Sequence, residues 1–309
     1  MFSVEDTSWR WLLITAIAPI AWGTNYFVTH EFLPAGYPLY GGVIRALPAG
    51  LLLLALARSR PRGDRWWKSL VLGVCNVGAF FALIYVASQL LPVSVASTIM
   101  SATPLTMGLF AWVLLGARPS GRVLLGAVAG IAGVCLMLGG GTAGVRVAGV
   151  LASVAALTMS SFGYVLAKKW GRGGDLLATT AWQLIAGGLV LVPVAVAAEG
   201  APPSLDLPAI AGFAYVGLVA TALAYVAWFT GLRHLDAAAV GLVGLLNPVT
   251  GVLLGTTLAG DHLTIGQLVG LALVLVGVTL GRPAGRRSAQ RRAQKKAQKK
   301  EQKQPVAVS

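Results

Sequence analysis

"LLNPVTGVLLGTTLAGDHLT", residues 245–264, repeats an earlier phrase, "SATPLTMGLFAWVLLGARPS" at 101–120. Pro104 matches Pro248, Thr106 matches Thr250 and Gly116 matches Gly260, each pair 144 positions apart. The same offset holds outside the phrase. Phe81 and Tyr85 map onto Tyr225 and Phe229, Gly126 onto Gly270, and Gly133 onto Gly277. Ala, Gly, Leu and Val coincide readily between any two apolar segments, but one constant offset through Pro, Thr and several Gly points to an internal duplication.

Composition says what was duplicated. Of the 309 residues, 56% are hydrophobic and only 11% are charged, against the quarter usual in a soluble domain. The charges gather between apolar runs at roughly 11–29, 38–57, 69–90, 92–115, 121–140, 147–167, 176–198, 208–232, 237–259 and 264–281. Most reach the roughly 20 residues that a helix needs to cross the hydrocarbon of a bilayer. Transmembrane strands would instead alternate polar and apolar residues over about ten positions. The first run follows Glu5 and Asp6 and not a basic segment, so it reads as a span and not as a cleaved signal. The chain is expected to be an all-α integral membrane protein of ten transmembrane helices.

Lys and Arg orient the spans, since cytoplasmic loops carry the excess. Arg58, Arg60, Arg62, Arg65 and Lys68 follow the second run, Arg118 and Arg122 the fourth, Lys168, Lys169 and Arg172 the sixth, and Arg233 the eighth. With the N-terminus inside, all fall on one side, together with ten Lys and Arg beyond residue 281. The opposite loops hold Glu31, Glu199, Asp206 and Asp261, with Arg146 their one strong base. Both termini are therefore expected in the cytoplasm. A repeat of five helices, an odd number, must insert its second copy upside down. The predicted organisation is a first repeat at 1–140, an inverted second repeat at 141–281 and a basic tail at 282–309. Such inverted repeats build transporters whose substrate site lies near the midplane where the halves meet.

The phrases "AWGTNYFV" at 21–28, "GVIRALPAGLLLL" at 42–54, "LLGARPSGRVLLGAVAGIAGVCLML" at 114–138 and "LVATALAYVAWFTGLRHLDAAAVGLV" at 218–243 resemble the EamA-type transporters of the drug/metabolite transporter superfamily. The resemblance covers everything but the tail. It implies export of small metabolites such as amino acids, with helices 1–4 and 6–9 around the cavity and helices 5 and 10 at the periphery. Relatives often write Gly-Glu after helices 4 and 9, where this chain has Gly116-Ala117 and Gly260-Asp261. Many carry Glu-Pro in helix 9, where this chain has Asn247-Pro248.

That second departure bears on energy coupling. A buried carboxylate of raised pKa is the usual proton-coupling device, yet Glu31 lies at the outer mouth of the first helix and no other Asp or Glu falls inside a predicted span. Coupling then falls to His30 or Glu31, or is absent. Arg45 is the one strong base within a predicted span. It reads either as a fork for a substrate carboxylate or phosphate or as a brace for the outer loops. The brace is favoured, because relatives with different substrates share this Arg.

The candidate substrate-binding residues are Trp22, Asn25, Tyr26, Arg45, Asn76, Tyr85, Tyr164, Gln183, Trp228 and Asn247. Amides and hydroxyls inside a membrane must face protein or water, and aromatic rings can form stacking walls. Asn247 and Pro248 are paired with Thr103 and Pro104 as opposite walls of one cavity. Pro48 and Pro193 are further expected helix interruptions. Gly126-x-x-x-Gly130 and Gly266-x-x-x-Gly270 are small faces for close helix packing or for a homodimer.

No cofactor or metal is expected. Cys75 and Cys135 form no C-x-x-C pair, and His30, His234 and His262 are scattered. A membrane-embedded enzyme would need an acidic cluster, a Ser-His pair or a His cluster, so no enzyme is expected. A lipid or lipid-linked sugar flippase of the same fold is the standing alternative. The tail "GRRSAQRRAQKKAQKKEQKQPVAVS" reads as a solvated anchor or a binder of anionic lipid headgroups. Without an aromatic or folded platform it does not read as a nucleic-acid binder. The expected location is a bacterial plasma membrane.

Overall fold

The computed structural model describes residues 4–32, 34, 36–90, 99–138, 146–171, 175–258 and 265–280. Its side-chain account leaves out, among others, Asn25, Tyr26, His30, Glu31 and Tyr85, while Arg172, Asp261, His262 and the tail lie outside the described residues. Each apolar run carries helix. The first two runs are α1 (Val4–Phe32) and α2 (Pro38–Ala57). The third is α3 (Arg65–Gly73), a π-helical turn (Val74–Gly78) and α4 (Ala79–Leu90). Then come α5 (Thr103–Leu115), α6 (Gly121–Leu138), α7 (Val147–Trp170) and α8 (Leu176–Glu199). The eighth run repeats the pattern of the third, with α9 (Leu207–Gly217), a π-helical turn (Leu218–Leu223) and α10 (Ala224–His234). The ninth is split into α11 (Ala237–Val243) and α12 (Leu246–Leu258), and α13 (Ile265–Leu280) closes the described chain.

Five stretches among the described residues are long and apolar enough to cross a membrane: Pro38–Ala57, Arg65–Ile84, Val147–Trp170, Leu176–Glu199 and Leu207–His234. Thr103–Leu115, Gly121–Leu136, Ala237–Thr250 and Leu268–Leu280 are shorter apolar helices. The distribution of polarity is that of a protein in lipid. Leu51, Val113, Leu125, Leu151 and Leu207 face outward, whereas Thr15, Asn76, Ser153, Thr180, Gln183 and Thr221 are buried. With lipid outside, hydrophobic burial cannot hold helices together, and close packing and internal hydrogen bonds do so instead.

Helix ends follow local chemistry. The Asp175 carboxylate accepts the Leu177 N–H at 3.0 Å, and Asp206 accepts the Ala209 N–H at 2.8 Å, as N-caps do. The start of α2 is capped from another helix. Glu199, the last residue of α8, accepts the N–H groups of Leu39 at 2.7 Å and Tyr40 at 2.9 Å.

Two of the prolines break helices and two do not. The fourth and ninth runs stop and restart, as expected of their prolines, with turns at 101–102 and 244–245 just ahead of Pro104 and Pro248. A proline lacks an N–H and its ring crowds the carbonyl four residues earlier, here those of Met100 and Gly244. Those carbonyls find other donors. Thr103 Oγ1 donates to Met100 O at 2.5 Å, and the Asn247 N–H to Gly244 O at 3.1 Å. Pro48 and Pro193, expected as interruptions too, sit within unbroken α2 and α8.

The helices pack as α2 on α8, α6 on α13, α1 on α10 and α12, α7 on α4 and α5, and α5 on α11. The α6–α13 seam is the tightest. A Cβ on Gly126 would stand 2.6 Å from Gly277 O, and one on Gly277 2.5 Å from Gly126 O, so only glycine permits the approach. The glycine face of the fifth run is thus used within the chain, where the sequence had left a dimer contact open.

Candidate functional site

The two π-helical turns begin 144 positions apart, at Val74 and Leu218. A π-turn shifts hydrogen bonding from four to five residues and commonly marks a functional site. Side chains from distant helices reach carbonyls in both turns. In the second, Ala220 O accepts Trp22 Nε1–H at 3.0 Å and an Arg45 Nη2–H at 3.2 Å, while Arg45 Nε–H donates to Thr221 Oγ1 at 2.9 Å. In the first, Asn76 O accepts the Tyr225 hydroxyl at 2.9 Å. Asn76 and Ala220 are themselves 144 positions apart. Side-chain donors from α1, α2 and α10 are thereby fixed around one space.

That space is a cavity of about 220 Å³. Among its walls are Phe81, Ile84, Met100, Ser101 and Thr103 on one side, and Tyr225, Trp228, Gly244, Leu245 and Asn247 on the other. These form five pairs at the constant spacing of 144. The helix breaks contribute directly, since Met100, Ser101, Thr103, Gly244, Leu245, Asn247 and Pro248 all line the cavity. A broken span presents backbone polar groups that a continuous helix would hide.

The walls are aromatic with a few polar groups. Trp22 lies against Tyr225 and Trp228 with ring centroids 5.6 and 5.2 Å apart, and Tyr164 packs edge-on to Trp228 at 5.4 Å. The Arg45 guanidinium lies 4.8 Å from the Phe81 ring centroid, a cation–π contact. Its contacts to Thr221 and Ala220 use two of five N–H donors. Among the described residues that line the cavity, Arg45 is the one charged side chain. Trp228 Nε1 is buried with no hydrogen-bond partner among the described residues.

Of the residues proposed from sequence, Trp22, Arg45, Tyr164, Trp228 and Asn247 line this cavity. Asn76 and Gln183 do not. Asn76 Nδ2 donates to Gln183 Oε1 at 2.9 Å and Gln183 Nε2 to Thr179 O at 3.2 Å, so the two amides bind α8 to the first π-turn. The side chains of Asn25, Tyr26 and Tyr85 are outside the described set. Arg45 acts as a brace, although to α9–α10 and not to the outer loops, and it also borders the cavity. Sequence reasoning missed Phe80, Phe81, Ile84, Met100, Ser101, Ser160 and Leu245 as lining. For most of them the signal was present as the offset from a residue already singled out or as a position just ahead of a proline.

Beyond the cavity, toward the basic loops, the helix ends are fastened together. Lys168 Nζ donates to Leu232 O and, at 2.6 Å, to Leu235 O, and Trp11 stacks on His234 with centroids 3.5 Å apart.

The sequence profile of the EamA-like transporter family matches residues 9–139 and, a second time, 147–281. The chain belongs to the EamA-like transporter family. Protein PecM of Dickeya dadantii (strain 3937) is 39% identical over 83% of this chain and 87% of its own length. The transporter YvbV of Bacillus subtilis (strain 168) is 28% identical over 87% of this chain and 90% of its own. The inner membrane transporter YedA of Escherichia coli (strain K12) is 26% identical over 84% and 86% respectively. A solved crystal structure superposes with a TM-score of 0.77 at 21% identity, covering 90% of this chain and 98% of the other, which speaks to the fold alone. This EamA-like protein is a multi-pass membrane transporter.

Proposed function

We propose that this EamA-like transporter exports small metabolites, amino acids and related carboxylates, across the plasma membrane by alternating access between two inverted five-helix repeats. The observation that carries the reading is the cavity wall itself, built from five residue pairs at one constant spacing. The helix packing supports it. Exchanging the first five apolar runs for the last five turns α1–α10 into α7–α4, and α1–α12 into α7–α5, while α2–α8 and α6–α13 map onto themselves. The twofold match of one family profile agrees. A cavity at the junction of such halves is where alternating access places substrate.

The lining favours a particular chemistry. Three Arg45 N–H donors and the Trp228 N–H suit an acceptor-rich, negatively charged group, Asn247 and Thr103 suit further polar atoms, and the aromatic rings suit an apolar body. A free carboxylate on a small organic skeleton meets all three. The decisive assay is counterflow of labelled amino acids and other carboxylates in proteoliposomes, the candidates taken from metabolites that cells stop secreting on deletion. Asn247→Ala should weaken binding by about 1 kcal/mol or more at normal expression and folding. Asn247→Glu should make transport more pH-dependent, because a partly buried carboxylate titrates nearer neutrality. Unchanged affinity and pH profile in both variants remove Asn247 from the site.

A further inference from the structure

A second cavity, also of about 220 Å³, lies apart from the central one, where the 58–64 connection and α3 meet the ends of α7 and α8. Its polar walls include Arg60, Arg65, Lys68, Asp64 and Asp175. Both carboxylates have partners. Asp64 takes the Lys68 ammonium, and Asp175 caps the Leu177 N–H at 3.0 Å while lying in the field of Arg233. The ion pair of Asp64 goes to Lys68, while Arg65 acts on Asp64 only through its charge. Its three bases outnumber its two carboxylates, and Arg58, Arg62 and Lys169 lie close by in sequence.

Tryptophan closes it on two sides. Trp182 donates its Nε1–H to Ser59 O at 3.2 Å and packs edge-on to Trp66 with centroids 4.9 Å apart. Trp170 packs the same way on Trp67 at 5.1 Å. The outer rings, Trp66 and Trp67, are 49% and 51% exposed, and Leu70, one turn further along α3, is 50% exposed. Tryptophan at this degree of exposure is the mark of the headgroup level of a bilayer. Trp170 and Trp182 line the hollow, and against them stand the exposed Trp66 and Trp67, which form an apolar strip on α3 with Leu70.

We propose that this cavity binds the phosphate of an anionic phospholipid, Arg60 and Arg65 holding the oxyanion and the Trp66–Trp67–Leu70 strip receiving an acyl chain. Arginine forks match phosphate oxygens in pairs, and basic pockets between transmembrane helices at the cytoplasmic level hold lipid headgroups. A soluble phosphate would satisfy the arginines and leave the strip unused, which is why the lipid is the chosen source. The site rests on the membrane assignment and not on the identity of the transported substrate.

Native mass spectrometry of the full chain in neutral detergent tests the site, by titration with dioleoyl phosphatidylglycerol. Removing two bases worth roughly fivefold each should weaken binding of the tightest lipid by about tenfold or more in Arg60→Gln/Arg65→Gln. The charge-preserving Arg60→Lys/Arg65→Lys should bind more tightly than the Gln variant and less tightly than wild type, since it keeps the charge and loses the fork, which separates loss of the site from loss of the fold. The basic tail is the same in every protein compared, so its contribution cancels. Inorganic phosphate at millimolar concentration should not displace the lipid from wild type. Equal affinity in wild type and the Gln variant, or ready displacement by inorganic phosphate, overturns the proposal.

Discussion

The contact between Arg45 and Thr221 ties α2 to the second π-turn, and removing it has a calculable consequence. Arg45 Nε–H meets Thr221 Oγ1 at 2.9 Å, and Thr221 is fully buried. Arg45→Met deletes this bond together with the bond to Ala220 O, leaving that carbonyl to Trp22 alone. Thr221→Val deletes only the hydroxyl and keeps the shape. Hydrogen bonds to charged groups contribute about 1.5–3 kcal/mol in soluble proteins, but polar contacts between transmembrane helices average nearer 0.6 and reach about 1.7 kcal/mol. A double-mutant cycle should therefore give a coupling of about 1 kcal/mol, with Arg45→Met alone costing more than Thr221→Val because it breaks two contacts. The assay is reversible unfolding in mixed micelles, read by intrinsic tryptophan fluorescence, with counterflow in parallel. Additive effects within about 0.3 kcal/mol would mean that Arg45 does not brace the turn. Loss of counterflow in Arg45→Met but not in Thr221→Val, at matched stability, would assign the guanidinium to the substrate.

Other expectations follow from the same geometry. Gly277→Leu should destabilise the protein by about 1–3 kcal/mol or more, since its side chain would start 2.5 Å from Gly126 O; a wild-type unfolding curve would refute the α6–α13 seam. Tyr225→Phe should strip Asn76 O of the hydroxyl donor that reaches it at 2.9 Å and lower stability by about 1 kcal/mol, which the same unfolding assay reads. Counterflow should persist when the proton gradient is collapsed, because among the described residues no carboxylate lines the cavity. Transport that stops with an uncoupler, yet survives Glu31→Gln and His30→Ala, would place the coupling group elsewhere.

The spans were legible because membrane insertion writes them in composition: the boundaries read from apolar runs and basic loops recur in α2 and α8 almost to the residue. The constant offset of 144 was legible because proline and glycine positions tolerate little drift, and the two π-turns keep it. The π-turns themselves were not legible. A π-turn arises from one extra residue accommodated within a helix, and neither Val74–Gly78 nor Leu218–Leu223 carries a proline or a polar cluster to mark it. Asn76 and Gln183 lie away from the cavity lining for a related reason. A buried amide must find a partner, and sequence does not say whether that partner is substrate or another amide; here the Asn76 amide donates to Gln183 and the Gln183 amide to a backbone carbonyl. Thr103 and Asn247 were placed correctly at the cavity because proline fixes where its helix opens.

The central claim is that the second half is inserted upside down relative to the first. The connection after α2, residues 58–64, and the connection after α8, residues 200–206, occupy equivalent positions in the two copies. Reporter fusions after Gly63 and after Pro202 measure it directly. The account predicts a cytoplasmic reading at 63 and an external reading at 202; the same side for both would contradict it.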